Sequence, residues 1–420
     1  MVRRSFVIIT VLMSLILPAL AGTVYAQGGQ DQCLQLIRQM LTDLGTNCAN
    51  TESNTACYGF ERVTAAFMEP VEEDFFTEPG DRAELTSLVT LTMSDIDVRE
   101  SIWGVSALHV QGNIHNALPD QAVFLAIGDI ELENAVDPET ALLPVEPVSI
   151  PTTVEAGLYA GPDAGTELWD TVPVGTVLQV DGISPDGLWL RTFYFNEDDE
   201  RYYLAWVSST ALDQTVDVSS LPTIGPDTQT PMQTFFLRSG FGGGRCPQAL
   251  PPLLLVQGPE NTDVDITVNG AHIRIGGTVM LEILRPGRTM RLFTLYGLAT
   301  INPGMEDELQ VPPGASVTVC LSDPDDYGGL DGVDNDQIVS CDWSGRRRVN
   351  QGDLNALALI EDLPDNILNY PLEIPTIIKA SAVGGPREHL FFRNPKALEQ
   401  ARRLCDADIL PEEICDYLFP

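Results

Sequence analysis

The stretch VDITVNGAHIRI, residues 264–275, decides the class of fold that we predict for this chain. It holds two runs in which apolar and polar residues alternate, as they do in strands that bury one face. Asn269 and Gly270 stand between the two runs, and both residue types tolerate the positive φ angles that a two-residue hairpin turn requires. The stretch therefore predicts an antiparallel hairpin whose register is set by its turn.

Similar runs continue after the hairpin, at short spacing and with Gly or Pro between them. They read GGTVMLEIL, TMRLFTLYGLATI, DELQV and ASVTVCL. Many short strands separated by turn residues are typical of a β-sandwich or a barrel. We predict a β-rich, sandwich-like domain at residues 232–385, followed by a short helical tail at 386–420.

The amino-terminal part of the chain combines a helix with strands. Apolar residues recur at helical spacing at Leu34, Ile37, Leu41 and Leu44. The segments that follow are rich in β-branched residues and roughly alternate, which indicates three or more strands. They read ELTSLVTLTM, SIWGVSALHVQGNI and QAVFLAIGDIELENA. We predict a cysteine-containing α+β domain at residues 27–137.

Residues 1–26 have the composition of a secretory signal peptide. Arg3 and Arg4 precede an apolar run, and Val24-Tyr25-Ala26 places small residues at the cleavage positions. The run is shorter than the ~20 residues that span a bilayer. We expect a secreted or cell-envelope protein with no integral membrane span after cleavage.

The chain contains eight cysteines, and all of them follow the predicted signal peptide. An even number of cysteines in an exported chain predicts disulfides. They fall into three groups, which are Cys33, Cys48 and Cys57, then Cys246, Cys320 and Cys341, and finally Cys405 and Cys415. Two groups of three cannot each pair internally, so complete pairing requires a bridge between the amino-terminal and middle regions. The last pair is spaced to join two short helices of the tail.

The chain is strongly acidic, with 23 basic residues against 60 acidic ones and a formal net charge of −37. Binding of nucleic acid is excluded, because it requires Lys and Arg to displace counterions from phosphates. Two explanations of the acidity stay open, a solvated surface and cation binding. The segment SDPDDYGGLDGVDNDQ, residues 322–337, offers Asp331, Asp334 and Asp336 as candidate calcium ligands, although it lacks the EF-hand pattern. No other cofactor is predicted.

Proline-rich segments mark two linkers, at residues 138–153 and 214–231. The intervening residues 154–213 resemble the bacterial SH3-like domain. The matching positions are Gly161-Pro162, Pro173-Val174-Gly175, Gly187-Leu188-Trp189-Leu190 and Trp206-Val207. The sequence departs from the family pattern in the acidic loop FNEDDERYYL, which puts inherited specificity in doubt.

The resemblance implies a small barrel whose interior is filled largely by Trp189 and Trp206. It also implies a binding module, because such domains attach exported proteins to peptidoglycan or to its cross-bridge peptides. An aromatic groove suits an extended peptide. The candidate groove residues are Tyr159, Trp169, Tyr194, Tyr202 and Tyr203. Ordinary packing within the barrel is the alternative role for each of them.

A second resemblance covers residues 264–321, which are similar to the periplasmic FecR-type β domain. The matching residues lie in VNGAHIRIGGTVMLEI, TLYGLATI and LQVPPGASVTV. They are turn and core residues, so this resemblance bears on the fold rather than on activity.

Motifs for catalysis are missing from the sequence. The four histidines are dispersed, and there is no Gly-x-Ser-x-Gly, Ser-x-x-Lys, His-Glu-x-x-His or phosphate-binding glycine loop. We expect a mostly β, multidomain, non-enzymatic exported protein that binds cell-wall peptide, glycan or another extracellular ligand through its SH3-like domain. The alternative is a structural, adhesive or sensory envelope protein in which that domain is only a packing module.

Overall fold

A computed structural model describes most of the chain. The described residues are 32–198, 200–240, 246, 249–284, 289–320, 347–348, 357, 360–361, 363–374, 376–382, 385–391, 402, 405 and 415. The predicted signal peptide and the candidate calcium ligands Asp331, Asp334 and Asp336 lie outside these residues. As predicted, the fold is mostly β.

One helix, α1 at residues 32–47, begins the described chain. The first strands are β1 Thr55–Phe60, β2 Val63–Phe67, β3 Arg82–Glu84, β4 Leu88–Met93, β5 Val105–Val110, β6 Ala122–Ile127 and β7 Ile130–Asn134. The next are β8 Val148–Pro151, β9 Ala156–Tyr159, β10 Leu168–Val172, β11 Val177–Val180, β12 Gly182–Ile183, β13 Trp189–Asn196 and β14 Arg201–Ser208, before a 3₁₀ turn at Ser209–Ala211. The remainder are β15 Thr234–Ser239, β16 Leu253–Gln257, β17 Val264–Val268, β18 Ala271–Ile283, β19 Thr289–Ile301, β20 Leu309–Val311, β21 Ala315–Cys320, β22 Arg347–Arg348, β23 Thr376–Ala382 and β24 Gly385–Phe391.

The predicted hairpin turn lies between β17 and β18. Asn269 and Gly270 both have positive φ, at 51° and 80°. The two strands pair antiparallel, with Val268 opposite Ala271 and Val264 opposite Ile275. The sequence prediction of this hairpin is confirmed.

The first seven strands and strands β15–β22 hydrogen-bond into one curled sheet, which we call the sandwich. Antiparallel β16 lies between β6 and β18, and β15 pairs with β7. The prediction of separate domains at 27–137 and 232–385 was therefore wrong. Neither region buries its apolar faces by itself, because the strands that complete each layer come from the other region.

The long hairpin β18–β19 belongs to both layers of the sandwich. The first half of β18 pairs with β17, and its second half pairs with β16 on the same edge. The change of partner occurs at Gly276-Gly277, which lie within β18. The core between the layers contains Phe124 of β6 and Phe235 of β15, whose ring centroids lie 5.5 Å apart.

A second core lies on the outer side of the layer that contains β6 and β16. Helix α1 packs on this face through residues such as Ile37 and Leu44, as the helical spacing predicts. Ile360 and Ile367 cover the same face. The described chain contains no helix with the length and hydropathy of a membrane span.

Residues 148–224 form a smaller unit between β7 and β15, which we call the inserted domain. Its five-stranded sheet has the order β10-β9-β14-β13-β12, and β8 pairs with β11. Both predicted linkers contribute to it: Ile150 of β8 and Leu221 are buried in its core. Its boundaries thus lie outside those predicted from the prolines, because flanking segments complete the core.

Three disulfides lie among the described residues. They join Cys33 to Cys246, Cys48 to Cys57 and Cys405 to Cys415. The first connects the amino-terminal and middle regions, which confirms the expectation that at least one bridge would do so. The predicted helical tail at 386–420 is corrected in part, because residues 385–391 form strand β24 against β23.

Candidate functional site

The inserted domain is shaped by two tight turns, which lie in segments that match the SH3-like pattern. Gly175, between β10 and β11, has a φ of 85°, and Gly187, before β13, has a φ of 72°. Side chains other than that of glycine are strained at such angles. The turns return the chain so that β10 lies at one edge of the five-stranded sheet, where it pairs only with β9.

Strands β13 and β14 place their side chains alternately on two faces of the sheet. Leu190 and Val207 are opposite each other in register and both lie in the core of the inserted domain. Trp189 and Trp206 are the sequence neighbours of these residues, and they therefore lie on the other face. The expectation that the two indoles fill the interior was wrong, because aliphatic residues occupy it.

Three of the five predicted groove residues come together on the core side of the sheet, and we call them the aromatic cluster. The ring centroid of Trp169 lies 5.3 Å from that of Tyr203 and 6.4 Å from that of Tyr194. Trp169 comes from the edge strand β10, whereas Tyr194 and Tyr203 face each other across β13 and β14. All three side chains are half-buried. Trp169 thus packs against both tyrosines, and part of each ring stays accessible to solvent.

The other two predicted groove residues lie elsewhere. Tyr202 packs against Phe193 and Phe195, with centroid distances of 5.6 and 4.8 Å. Tyr159 contacts the edge of Trp189 at 5.5 Å. Alternation along the strands separates these residues from the aromatic cluster, so the five do not form one groove.

Exposed aliphatic side chains occur close to the aromatic cluster in the chain. Leu168 precedes Trp169 and is 51% exposed, while Val174 and Val177 on the far side of β10 are 66% and 57% exposed. The only basic residues at 148–213 are Arg191 and Arg201. Arg191 bonds Asp181 within the inserted domain, and Arg201 bonds Asp263 of the sandwich. The acidic side chains of the domain therefore dominate its surface charge, which favours neutral or cationic ligands.

A buried polar cluster fixes the opposite face of the inserted domain against the sandwich. Arg191 donates two hydrogen bonds of 2.8 Å to the carboxylate of Asp181. Asn116 of the sandwich donates its backbone N–H to the same carboxylate at 2.9 Å. His115 lies beside it, with Nε2 3.3 Å from Asp181 Oδ1, and the side chains of both residues are fully buried.

The imidazole of His115 is neutral in this setting. Its Nδ1 accepts the backbone N–H of Ala117 at 3.1 Å, which leaves the proton on Nε2, facing Asp181. Burial lowers the pKa of His115 to about 4, the Asp181 carboxylate raises it and Arg191 lowers it. The sequence analysis missed this cluster. Its members are separated in the chain, and no spacing or motif links them.

No group of three His, Cys, Asp or Glu side chains in the described part of the chain is placed to hold a metal ion. His109 lies on β5, where burial lowers its pKa to about 4, and its Nε2 has no hydrogen-bond partner among the described atoms. The candidate calcium ligands Asp331, Asp334 and Asp336 remain a prediction.

Comparisons with protein-family models, with curated proteins and with solved structures give no match to this chain. The resemblances to SH3-like and FecR-type domains therefore stay predictions.

Proposed function

We propose that the protein is an exported, non-enzymatic binding protein that recognises cell-wall peptide or glycan through the aromatic cluster. The observation that supports this most directly is the convergence of Trp169, Tyr194 and Tyr203 beside an edge strand. Aromatic rings offer large, rigid contact area at a low cost in side-chain entropy. The faces of sugar rings and the backbone of an extended peptide both stack on such surfaces.

The edge strand adds a second recognition element. An extended peptide can hydrogen-bond to the free edge of a sheet while its alternate side chains enter pockets. Asp170 Oδ1 already accepts the N–H of Thr171 at 2.7 Å, so one group of this strand is satisfied locally. Recognition would then depend mainly on the rings, with edge hydrogen bonds as a smaller contribution.

Sedimentation with purified cell wall tests the proposal. We expect the mature protein to pellet with the wall, and Trp169→Ala or Tyr203→Ala to weaken this binding by about tenfold or more, as central aromatic contacts do. Phe75→Ala is the matched control, since Phe75 is an exposed aromatic residue of the sandwich, 42% accessible. Pelleting no greater than that of an unrelated protein of similar charge rejects wall binding.

A second candidate function is favoured by the opposite face of the inserted domain. That face bonds the sandwich through Asp181, through the ion pair of Arg201 with Asp263, and through Tyr202, whose N–H donates to the carbonyl of Asn261 at 2.7 Å. Such contacts suit a packing module in a structural, adhesive or sensory protein. If the aromatic-cluster variants bind wall as well as the parent protein does, this second role is preferred.

A further inference from the structure

A polar cavity lies on the sandwich, away from the aromatic cluster. It is formed by helix α1, the turn between β1 and β2 and the loop before β5, and its volume is about 460 Å³. Ligand sites for small molecules typically measure about 300–1,000 Å³. The cavity is therefore large enough for a small polar molecule.

Two residues of the cavity wall have a backbone conformation that is costly for their type. Arg62 has a φ of 63° and Ser101 a φ of 58°. Glycine adopts this left-handed region without penalty, and asparagine is the next most tolerant residue. Half of the non-glycine residues with positive φ in the described chain are asparagines, and the others are Arg62, Ser101, Glu200 and Met232. Two of those four thus line one cavity.

Hydrogen bonds to backbone atoms hold both turns, and the Arg62 guanidinium also pairs with Glu100 at 3.0 Å. The N–H of Arg62 donates to the hydroxyl of Tyr58 at 2.8 Å, and its carbonyl accepts the hydroxyl of Ser94 at 3.0 Å. The loop that contains Ser101 is closed by backbone hydrogen bonds between Asp97 and Ile102 of 2.8 and 3.0 Å. Glycine at either position would keep these bonds and relieve the strain. Arginine and serine therefore add a backbone strain that glycine would avoid, at two positions that line the cavity.

The cavity presents both hydrogen-bond donors and acceptors. The amide of Gln39 donates to Asp43 at 3.4 Å and that of Asn47 donates to the carbonyl of Gly59 at 3.1 Å, and each amide has a second N–H. The guanidinium of Arg62 adds further donors, whereas carboxylates accept at Asp43, Glu61 and Glu100. Arg62 and Glu100 lie 3.0 Å apart and are both largely exposed, so their polar atoms also face solvent. Three carboxylates against one guanidinium disfavour an anionic ligand.

We propose that this cavity binds a neutral saccharide. Neighbouring hydroxyl groups of a sugar donate to carboxylates and accept from amide and guanidinium groups, which matches the mixed lining of the cavity. A simple ammonium ligand would use the carboxylates but would leave the donors without acceptors. The site is independent of the proposed role of the inserted domain, because it lies on the sandwich.

Isothermal titration of the mature, full-length protein with cellobiose, chitobiose and maltose tests this proposal. We expect at least one of them to bind, and the anionic disaccharide lactobionate to bind more weakly than that one. Arg62→Gly and Ser101→Gly should each weaken binding by about tenfold or more. The same variants should melt at the parent temperature or higher, since the strain is relieved.

Glu200→Gly is the matched control, because Glu200 has the same left-handed backbone, with a φ of 58°, but lies in the inserted domain. It should leave saccharide binding unchanged. The proposal is overturned if none of the three sugars binds, if lactobionate binds equally well, or if the glycine variants at 62 and 101 bind like the parent. A lowered melting temperature in those glycine variants would assign the side chains to the fold instead and would also overturn it.

Discussion

Asp181 shows how much one buried carboxylate contributes to the placement of a domain. Arg191 of the inserted domain and Asn116 of the sandwich donate hydrogen bonds to it. His115 of the sandwich lies beside it, and the Asp181 side chain has no access to solvent. An isolated ion in such a place is very unfavourable, so the partners are required once the carboxylate is buried. The cluster therefore couples the position of the inserted domain to the sandwich.

Removal of one charge from this cluster should destabilise the protein strongly. We expect Arg191→Met to lower the free energy of unfolding by about 3–5 kcal/mol, because it leaves the Asp181 carboxylate buried without its cation. Denaturant unfolding measures the change. Glu100→Gln breaks the exposed pair with Arg62 and should cost about 1 kcal/mol or less. Equal effects of the two variants would contradict this account.

His115 should make the protein less stable in acid. Its pKa is about 4 in the folded protein, against an ordinary value of 6.5, so the fold favours the neutral imidazole. Its contribution is complete above pH 6.5 and is lost as the pH falls towards 4. At ~1.4 kcal/mol for each unit of difference in pKa, the free energy of unfolding falls by about 3 kcal/mol.

The free energy of unfolding against pH, for the parent and for His115→Gln, checks this prediction. The variant should show a smaller loss of stability between neutral pH and pH 4. His272→Gln, at an exposed position of β18, is the control for the replacement of histidine by glutamine. A parent profile that is flat over this range would show that burial of His115 is not costly.

At the scale of elements, the close pairing of β18 and β19 shapes the sandwich. Gly277 of β18 lies against the carbonyl of Tyr296 of β19, and a Cβ on Gly277 would overlap that oxygen. Gly297 faces the carbonyl of Gly276 in the same way and has a φ of 71°. The two backbones can approach this closely only because these positions have no side chains. At these residues β18 changes its partner from β17 to β16.

Gly277→Ala should therefore be strongly destabilising, by about 3 kcal/mol or more, since the neighbouring atom is backbone and cannot move aside. Gly304→Ala is the matched control. Gly304 has a φ of 77° but open space around it, so this change adds only the left-handed strain of about 1–2 kcal/mol. Thermal and denaturant unfolding compare the two. A smaller cost at Gly277 would show that the pairing of β18 with β19 can relax.

The positions of the indoles also belong to this scale. Alternation in β13 and β14 predicts that Trp189 and Leu190 lie on opposite faces, but it does not say which face is the core. Trp206 is only 9% exposed although it lies outside the core of the inserted domain. Both faces of the sheet are covered at Trp206. The burial expected of an indole therefore does not show which face is the core.

At the scale of the whole molecule, the chain returns to the sandwich after the inserted domain, and a disulfide spans that interruption. Cys33 of α1 and Cys246 are separated by 213 residues, whereas Cys48 and Cys57 are separated by 9. Cross-links that close long loops remove more entropy from the unfolded chain.

Replacement of both Cys33 and Cys246 by serine should lower the free energy of unfolding by about 2–5 kcal/mol. The same replacement at Cys48 and Cys57 should cost less, because the loop is short. Unfolding of the two double variants under identical conditions gives the comparison. A larger cost for the short loop would indicate that native contacts, rather than loop entropy, determine the effect.

The sequence by itself determined the features that depend on neighbouring residues. These include the β class, the helix near residues 34–44, the turn at Asn269-Gly270, and the closely spaced pair Cys405 and Cys415. Each follows from local backbone preference or from a periodicity of a few residues. The grouping of the cysteines along the chain also predicts a disulfide between distant regions.

Tertiary structure alone decided how distant segments combine. The union of residues 55–134 with 234–320 in one sandwich, the separation of Trp169, Tyr194 and Tyr203 from Tyr159 and Tyr202, and the cluster around Asp181 all bring together residues far apart in the chain. The physical reason is that apolar faces and buried charges are satisfied by any suitable partner in space. Which partner is available depends on the packing of the complete chain.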